Sequence, residues 1–112
     1  MVPYPNAAGP VPPLNPFPAQ ILTGVTYDSG IIISHGANIS VWAKATHDLT
    51  LTIDQYADPA GDILVQETTQ AISANTLTNK AIADGKLFGW FKIKLANASG
   101  STAVINNAII LQ

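Results

Sequence analysis

The chain predicts an all-β fold: a single antiparallel β-sandwich, jelly-roll-like, of about eight strands, entered by an extended Pro-rich N-terminal arm. Three observations carry this expectation. Residues 48–69 alternate aliphatic and polar side chains around a strong reversal signal. Turn signals recur through the rest of the chain at intervals of roughly 8–12 residues, the spacing of a sandwich or jelly roll. No segment carries the 3.6-residue apolar period of a core-facing helix. The one helix-compatible stretch, residues 66–79, holds four Thr and no apolar face.

Residues 1–18 contain seven of the eight prolines and no charged side chain. Proline lacks the amide proton and holds the preceding residue extended, so neither a helix nor a sheet interior forms there. The expectation is an extended arm (1–18) leading into a sandwich domain (19–112). A Pro-rich segment is often a disordered tail. This one carries Val2, Tyr4, Val11, Leu14 and Phe17 as apolar anchors on a stiff backbone that loses little entropy on docking. Tyr4, Leu14 and Phe17 are therefore the candidate interface anchors, placed either on a neighbouring subunit or along the chain's own sheet.

Ile21, Thr23, Val25 and Tyr27 form a first alternating run that closes at Asp28-Ser29-Gly30. Ile31-Ile32-Ile33, too short for a helix, reads as a strand covered on both faces. After a turn at Gly36-Ala37-Asn38, Ile39, Val41, Ala43 and Ala45 face one way while Ser40, Trp42 and Lys44 face the other. Leu49, Leu51 and Ile53 then alternate with Thr50, Thr52 and Asp54. In Asp58-Pro59-Ala60-Gly61-Asp62, Pro presets φ, Gly takes positive φ and Asp bonds turn amides. The return strand starts at Ile63. Residues 76–83 give a weak strand. In residues 87–96, Phe91, Ile93 and Leu95 point inward and Trp90, Lys92 and Lys94 outward. Residues 102–111 close the fold without a charge.

The 112 residues suffice for one core. Charged residues make up 11%, against roughly a quarter in an average soluble domain, which favours a subunit that covers much of its surface with neighbours. With five basic side chains, all Lys, and a net charge of −2, the chain has no basic stripe for phosphates, and nucleic acid is not an expected partner. Without Cys there are no disulfides, thiolate nucleophiles or zinc-thiolate sites. No signal sequence or membrane span is visible, so no membrane partner is expected.

Few residues suggest chemistry. His35, His47 and Asp48 sit near turns, but Ser34 would point away from His35 on a strand, and the spacing gives no zinc set. Neither a catalytic residue, a metal ligand nor a cofactor is assigned. Asp54, Asp58 and Asp62 recur every four residues around the hairpin, with Asp28 and Asp48 in other loops. The pattern matches no EF-hand, and turn formation explains Asp58 and Asp62 without calcium. The two sequons, Asn38-Ile39-Ser40 and Asn97-Ala98-Ser99, fall at turns and carry no weight as three-residue patterns. Trp42 and Trp90 stand out because alternation puts both indoles outward. Three placements are open: an interface or a cover by the arm; a sugar platform if both strands share a sheet; or the core, if strand polarity is inverted.

The segments ISVWAKATHDLTLTIDQYADPAGDILVQETTQAISANT and LFGWFKIKLANASGSTAVINNAIILQ together resemble a group of small β-sandwich virion proteins of tailed phages and other viruses, used as capsid decoration (cement) subunits or as spike and fibre modules. The likeness spans residues 39–111. It rests on an Asp followed by a T-L-T-I strand with an Asp/Gly hairpin, an S-A-N-T linker, and a W-F-K-I-K-L-x-N-x-S strand before a final apolar strand. Those proteins often carry a longer Gly-Asn-Trp-type hairpin where this chain has Asp-Pro-Ala-Gly-Asp. The resemblance implies a non-enzymatic structural protein on the capsid surface of a virion. Its expected partners are the major capsid protein and copies of itself, with a trimer as one arrangement. The alternative is a glycan- or receptor-recognition module of a viral spike or tail fibre using Trp42 and Trp90.

Overall fold

The computed structural model describes residues 13–35, 38–82 and 88–112, and among these the chain is all-β with no helix. Nine antiparallel strands form two sheets: β1 (Gln20–Ile21), β2 (Thr26–Asp28), β3 (Ile32–Ile33), β4 (Ile39–Ala45), β5 (Leu49–Tyr56), β6 (Leu64–Ile72), β7 (Thr78–Ile82), β8 (Trp90–Ala96) and β9 (Ala103–Leu111). One sheet has the order β1-β9-β4-β7. The other runs β2-β8-β5-β6, with β3 also on β8. The pairing is nested: β1 with β9, β2 and β3 with β8, β4 with β7, and β5 with β6. Two further pairings, β4 with β9 and β5 with β8, knit these hairpins into sheets.

The period of two sets the inward faces. Ile39, Val41, Ala43 and Ala45 from the first sheet meet Leu51, Ile53, Phe91, Ile93 and Leu95 from the second in one buried cluster, as alternation requires. Small Ala43 and Ala45 lie among larger aliphatics and one Phe, the alternation of sizes that lets two faces interdigitate. At the β5–β6 hairpin the Asp58 carboxylate accepts the amides of Asp62 and Ile63 at 3.0 and 2.7 Å, and Gly61 sits at φ +76°. The turn therefore forms by the chemistry its sequence announces, and hydrogen bonds from the Ile63 and Asp62 amides hold the Asp58 carboxyl below its usual range.

Three expectations need correction. The run from Ile21 to Tyr27 is not one strand: the chain bends at Gly24 (φ +76°) and passes from β1 in one sheet to β2 in the other. Glycine permits that left-handed residue, and Leu22 and Val25 beside it are left exposed. Ile31-Ile32-Ile33 is not covered on both faces, because β3 is a two-residue edge piece and Ile33 is 62% exposed. Dividing the expected first run into β1 and β2, which serve different sheets, raises the count from about eight to nine.

Strand pairing also begins within the expected arm. Leu14 forms a bridge with Ile110, exchanging backbone hydrogen bonds of 3.0 and 2.8 Å, and the chain runs on beside β9 until Ala19 accepts the Ile105 amide at 2.9 Å. Leu14 and Phe17 pack against the chain's own core. The Phe17 ring meets Tyr27 at 5.8 Å between centroids, tilted by 52°, and the Tyr27 hydroxyl donates to the Pro16 carbonyl at 2.6 Å. Burial, aided by the neighbouring Asp28, pushes the Tyr27 phenol up, so it stays a donor. Of the three candidate anchors, Leu14 and Phe17 thus serve their own sheet, and Tyr4 lies outside the described residues.

Candidate functional site

The two tryptophans are both outward-facing, as alternation predicts, but on different sheets: Trp42 on β4 and Trp90 on β8. The condition for a shared sugar platform, one sheet carrying both indoles, is not met. Each belongs to a surface of different chemistry.

On the four-stranded sheet, Trp42 stands between Ile109 of β9 and Asn79 of β7, with Ser40 opposite Leu111 in the next outward position. Trp42 is 37% exposed, and Leu77 and Leu111 are exposed beside it. These side chains line a groove of about 880 Å³ together with Phe17 and Pro18 of the arm and Asn107. Lys44 is the one charged residue at the outward positions of β4, β7 and β9; Lys80 falls on the inward register opposite Val41. The surface is therefore a shallow apolar trough with amide groups at its margin. It suits aromatic stacking and close van der Waals contact, and it offers little for proton transfer.

The five-stranded sheet holds its charges in an internally paired set. Asp54 is only 2% exposed, and its Oδ2 accepts from Lys94 Nζ at 2.9 Å. Glu67 lies directly across β6 from Asp54. Burial opposes the charge on Asp54, but hydrogen bonds with Glu67 and Lys94 and the field of the ammonium outweigh it, leaving the carboxyl below its usual range. The complement appears in its partners: the hydrogen bond to Asp54 raises both Glu67 and Lys94. The two carboxyls are thus pushed apart in acidity, Glu67 upward and Asp54 downward, with the Lys94 ammonium seated against Asp54. Beside them Lys92 lies 3.5 Å from Asp28 and 5.8 Å from the centre of the Tyr56 ring. Desolvation and the Asp54 charge raise the Tyr56 phenol. Trp90 is half-buried between Tyr56 on β5 and Ile33 on β3.

The buried character of Asp54 is absent from the sequence reading, which places it among the hairpin aspartates. Its register opposite Glu67 and beside β8 depends on which strands pair, and alternation within one strand does not report that. Gln55 was more accessible to reasoning, since continuing Leu49, Leu51, Ile53 by two puts it inward. It is fully buried opposite Phe91, and neither of its amide atoms has a protein partner; the same holds for the hydroxyl of Thr68.

The remaining candidates are dispersed. His35 is exposed, with its backbone amide bound to Gln112 Oε1 at 2.9 Å, and the His47 ring shares a 2.9 Å hydrogen bond with Thr46. Asp48 accepts the Ala74 amide at 2.7 Å, a loop-fixing role. Among the described residues no three His, Asp or Glu side chains converge as metal ligands. Asn97 of the second sequon is 1% exposed. Its Nδ2 donates to the Ile21 and Ser101 carbonyls at 2.8 and 2.9 Å, and Oδ1 accepts the Ser99 amide at 3.0 Å. That amide is a clasp between β1 and the β8–β9 turn, with both of its hydrogens engaged. Comparison with protein-family models, curated proteins and solved structures finds no match to the chain.

Proposed function

We propose that the protein is a non-enzymatic structural subunit of a virion, a capsid decoration protein that associates with copies of itself and seats on the major capsid protein. The observation that carries this reading is the outer face of the four-stranded sheet, where Trp42, Leu77, Ile109 and Leu111 lie together with Lys44 as the single cation among the described lining residues. Apolar and aromatic surface of this kind is costly to leave in water and is the composition found at the centre of protein interfaces. The low charge of the whole chain points the same way, as does the resemblance of residues 39–111 to decoration and spike proteins.

If β2 and β3 count as one interrupted strand, the nested pairing of first with last and inward to β5 with β6 is that of a long eight-stranded hairpin rolled into two sheets, which supports a jelly-roll β-sandwich. A compact unit of this shape exposes broad sheet faces for lateral contact. The arm's described part reinforces the sheet edge at Leu14, so the seat on a capsid falls to the Trp42 face.

A glycan-recognition module of a spike or tail fibre is the second reading, favoured by one feature: an exposed indole in a groove edged by Asn15, Asn106 and Asn107. An aromatic face beside amide donors and acceptors suits a sugar ring. The two readings separate cleanly. Purified protein added to undecorated shells of the encoding virus should bind and raise their rupture temperature. Binding to immobilised glycans with no effect on shells would overturn the capsid reading.

A further inference from the structure

Two sheets have four edges, and an exposed edge strand is a template for pairing with another chain. Three edges here are blunted. The β1 edge is two residues long, and the chain leading to it carries Pro16 and Pro18, which have no amide proton to offer. The β2 edge has three residues, ends in Asp28, and is flanked by positive-φ Gly24 and Gly30, with the two-residue β3 beyond. The β7 edge has five residues and carries Lys80. The β6 edge differs: Leu64–Ile72 extends over nine residues, without Pro, Gly or Lys, and its one charge is Glu67. Among the described residues its strand partner is β5 alone.

We propose that β6 pairs antiparallel with β6 of a second copy across a two-fold axis, joining two five-stranded sheets into one. The strand is self-complementary. The register that overlaps the full length of Leu64–Ile72 is centred on Thr68. It sets Glu67 opposite the partner's Thr69, Gln66 opposite the partner's Gln70 and Val65 opposite the partner's Ala71. No like charges meet, a hydroxyl faces each carboxylate, and the amides face each other as mutual donor and acceptor. A two-fold interface requires this property of a single patch. Main-chain hydrogen bonds along the shared edge supply the association, as in other strand additions. The pairing is independent of the capsid reading, because a glycan module would present the same edge, and it leaves the Trp42 face of each copy uncovered.

The test is charge placement at residue 69, which is exposed and outside the core. Thr69→Glu sets a second carboxylate against Glu67 of the partner subunit in both halves of the interface. Thr69→Lys sets an ammonium there instead. Sedimentation analysis across micromolar concentrations should find a dimer for the parent chain, a dissociation constant raised about tenfold or more for Thr69→Glu, and a dimer at least as tight as the parent for Thr69→Lys. Circular dichroism on all three establishes that the sheets are intact. A monomeric parent chain, equal effects of Glu and Lys, or a dimer dissolved by Trp42→Ala and untouched by Thr69→Glu would each overturn the proposal.

Discussion

The outer faces of the two sheets solve opposite problems with the same strand geometry. On the five-stranded sheet every outward charge of β8 has an intramolecular partner: Lys94 with Asp54, and Lys92 with Asp28 and the Tyr56 ring. On the four-stranded sheet the corresponding positions hold Trp42, Ile109 and Leu111, and Lys44 is the lone charge among them. The first surface pairs its two β8 cations within one chain. The second has apolar area that the described residues leave exposed. The difference teaches where to look for a partner, since a face whose cations are paired internally gains little from a neighbour, whereas one that exposes aromatic and aliphatic groups gains by burying them.

The largest effect expected lies between the two faces and serves as their common control. Phe91→Ala removes a fully buried ring from the cluster that both sheets share, and should lower unfolding free energy by about 3–5 kcal/mol in urea denaturation. A near-neutral result would mean that the two sheets do not depend on one core, and the comparison of their outer faces would lose its basis.

Next comes the internal pairing of the charged face. Lys94→Met keeps the apolar stem and deletes the ammonium, leaving the Asp54 carboxylate buried without its cation. Because Lys94 is itself about one-third exposed, the full penalty for breaking a buried pair is reduced by solvent, and about 2 kcal/mol is expected at neutral pH. The loss should shrink in acid, where Asp54 is protonated. A loss of similar size at both pH values would assign the effect to packing.

Much of this was legible in the sequence. The inward faces of β4, β5 and β8 follow from alternation, and the hairpin turn follows from Asp58 and Gly61, because both depend only on neighbours along the chain. The crossing at Gly24 was hidden: Ile21, Thr23, Val25 and Tyr27 alternate as one strand would, and only the positions of β8 and β9 decide that the two ends serve different sheets. The same reason conceals the Asp54–Glu67–Lys94 cluster, which spans three strands, and the separation of Trp42 from Trp90. Local chemistry sets local structure, while a site assembled from several strands depends on their order in the sheet.

A smaller effect probes the opposed shifts of Glu67 and Asp54. Glu67 is raised by its hydrogen bond to Asp54, so its contribution to stability is present below its unfolded pKa of about 4.3 and is lost as pH rises through the folded value. Asp54 is lowered, so its contribution is present above about 3.9 and is lost as pH falls through the folded value. The pair therefore stabilises most in weak acid. Glu67→Gln retains a hydrogen-bond donor that does not titrate, so thermal unfolding should show the variant more stable than the parent at neutral pH, by about 1 kcal/mol or less for so exposed a group. The two should converge in weak acid. A constant offset across that range would contradict the coupling of the two carboxyls.

The central claim is that the apolar face of the four-stranded sheet seats the protein on its partner while the charged face does not. The direct measurement is retention on undecorated capsid shells by Trp42→Ala and Trp90→Ala, each compared with the parent chain. Loss of the Trp42 indole should reduce occupancy about tenfold or more, the consequence of removing roughly 1.4 kcal/mol or more at an interface, with the fold intact by circular dichroism, whereas Trp90→Ala should bind as the parent does. Full retention by Trp42→Ala, or an equal loss from both substitutions, would contradict it.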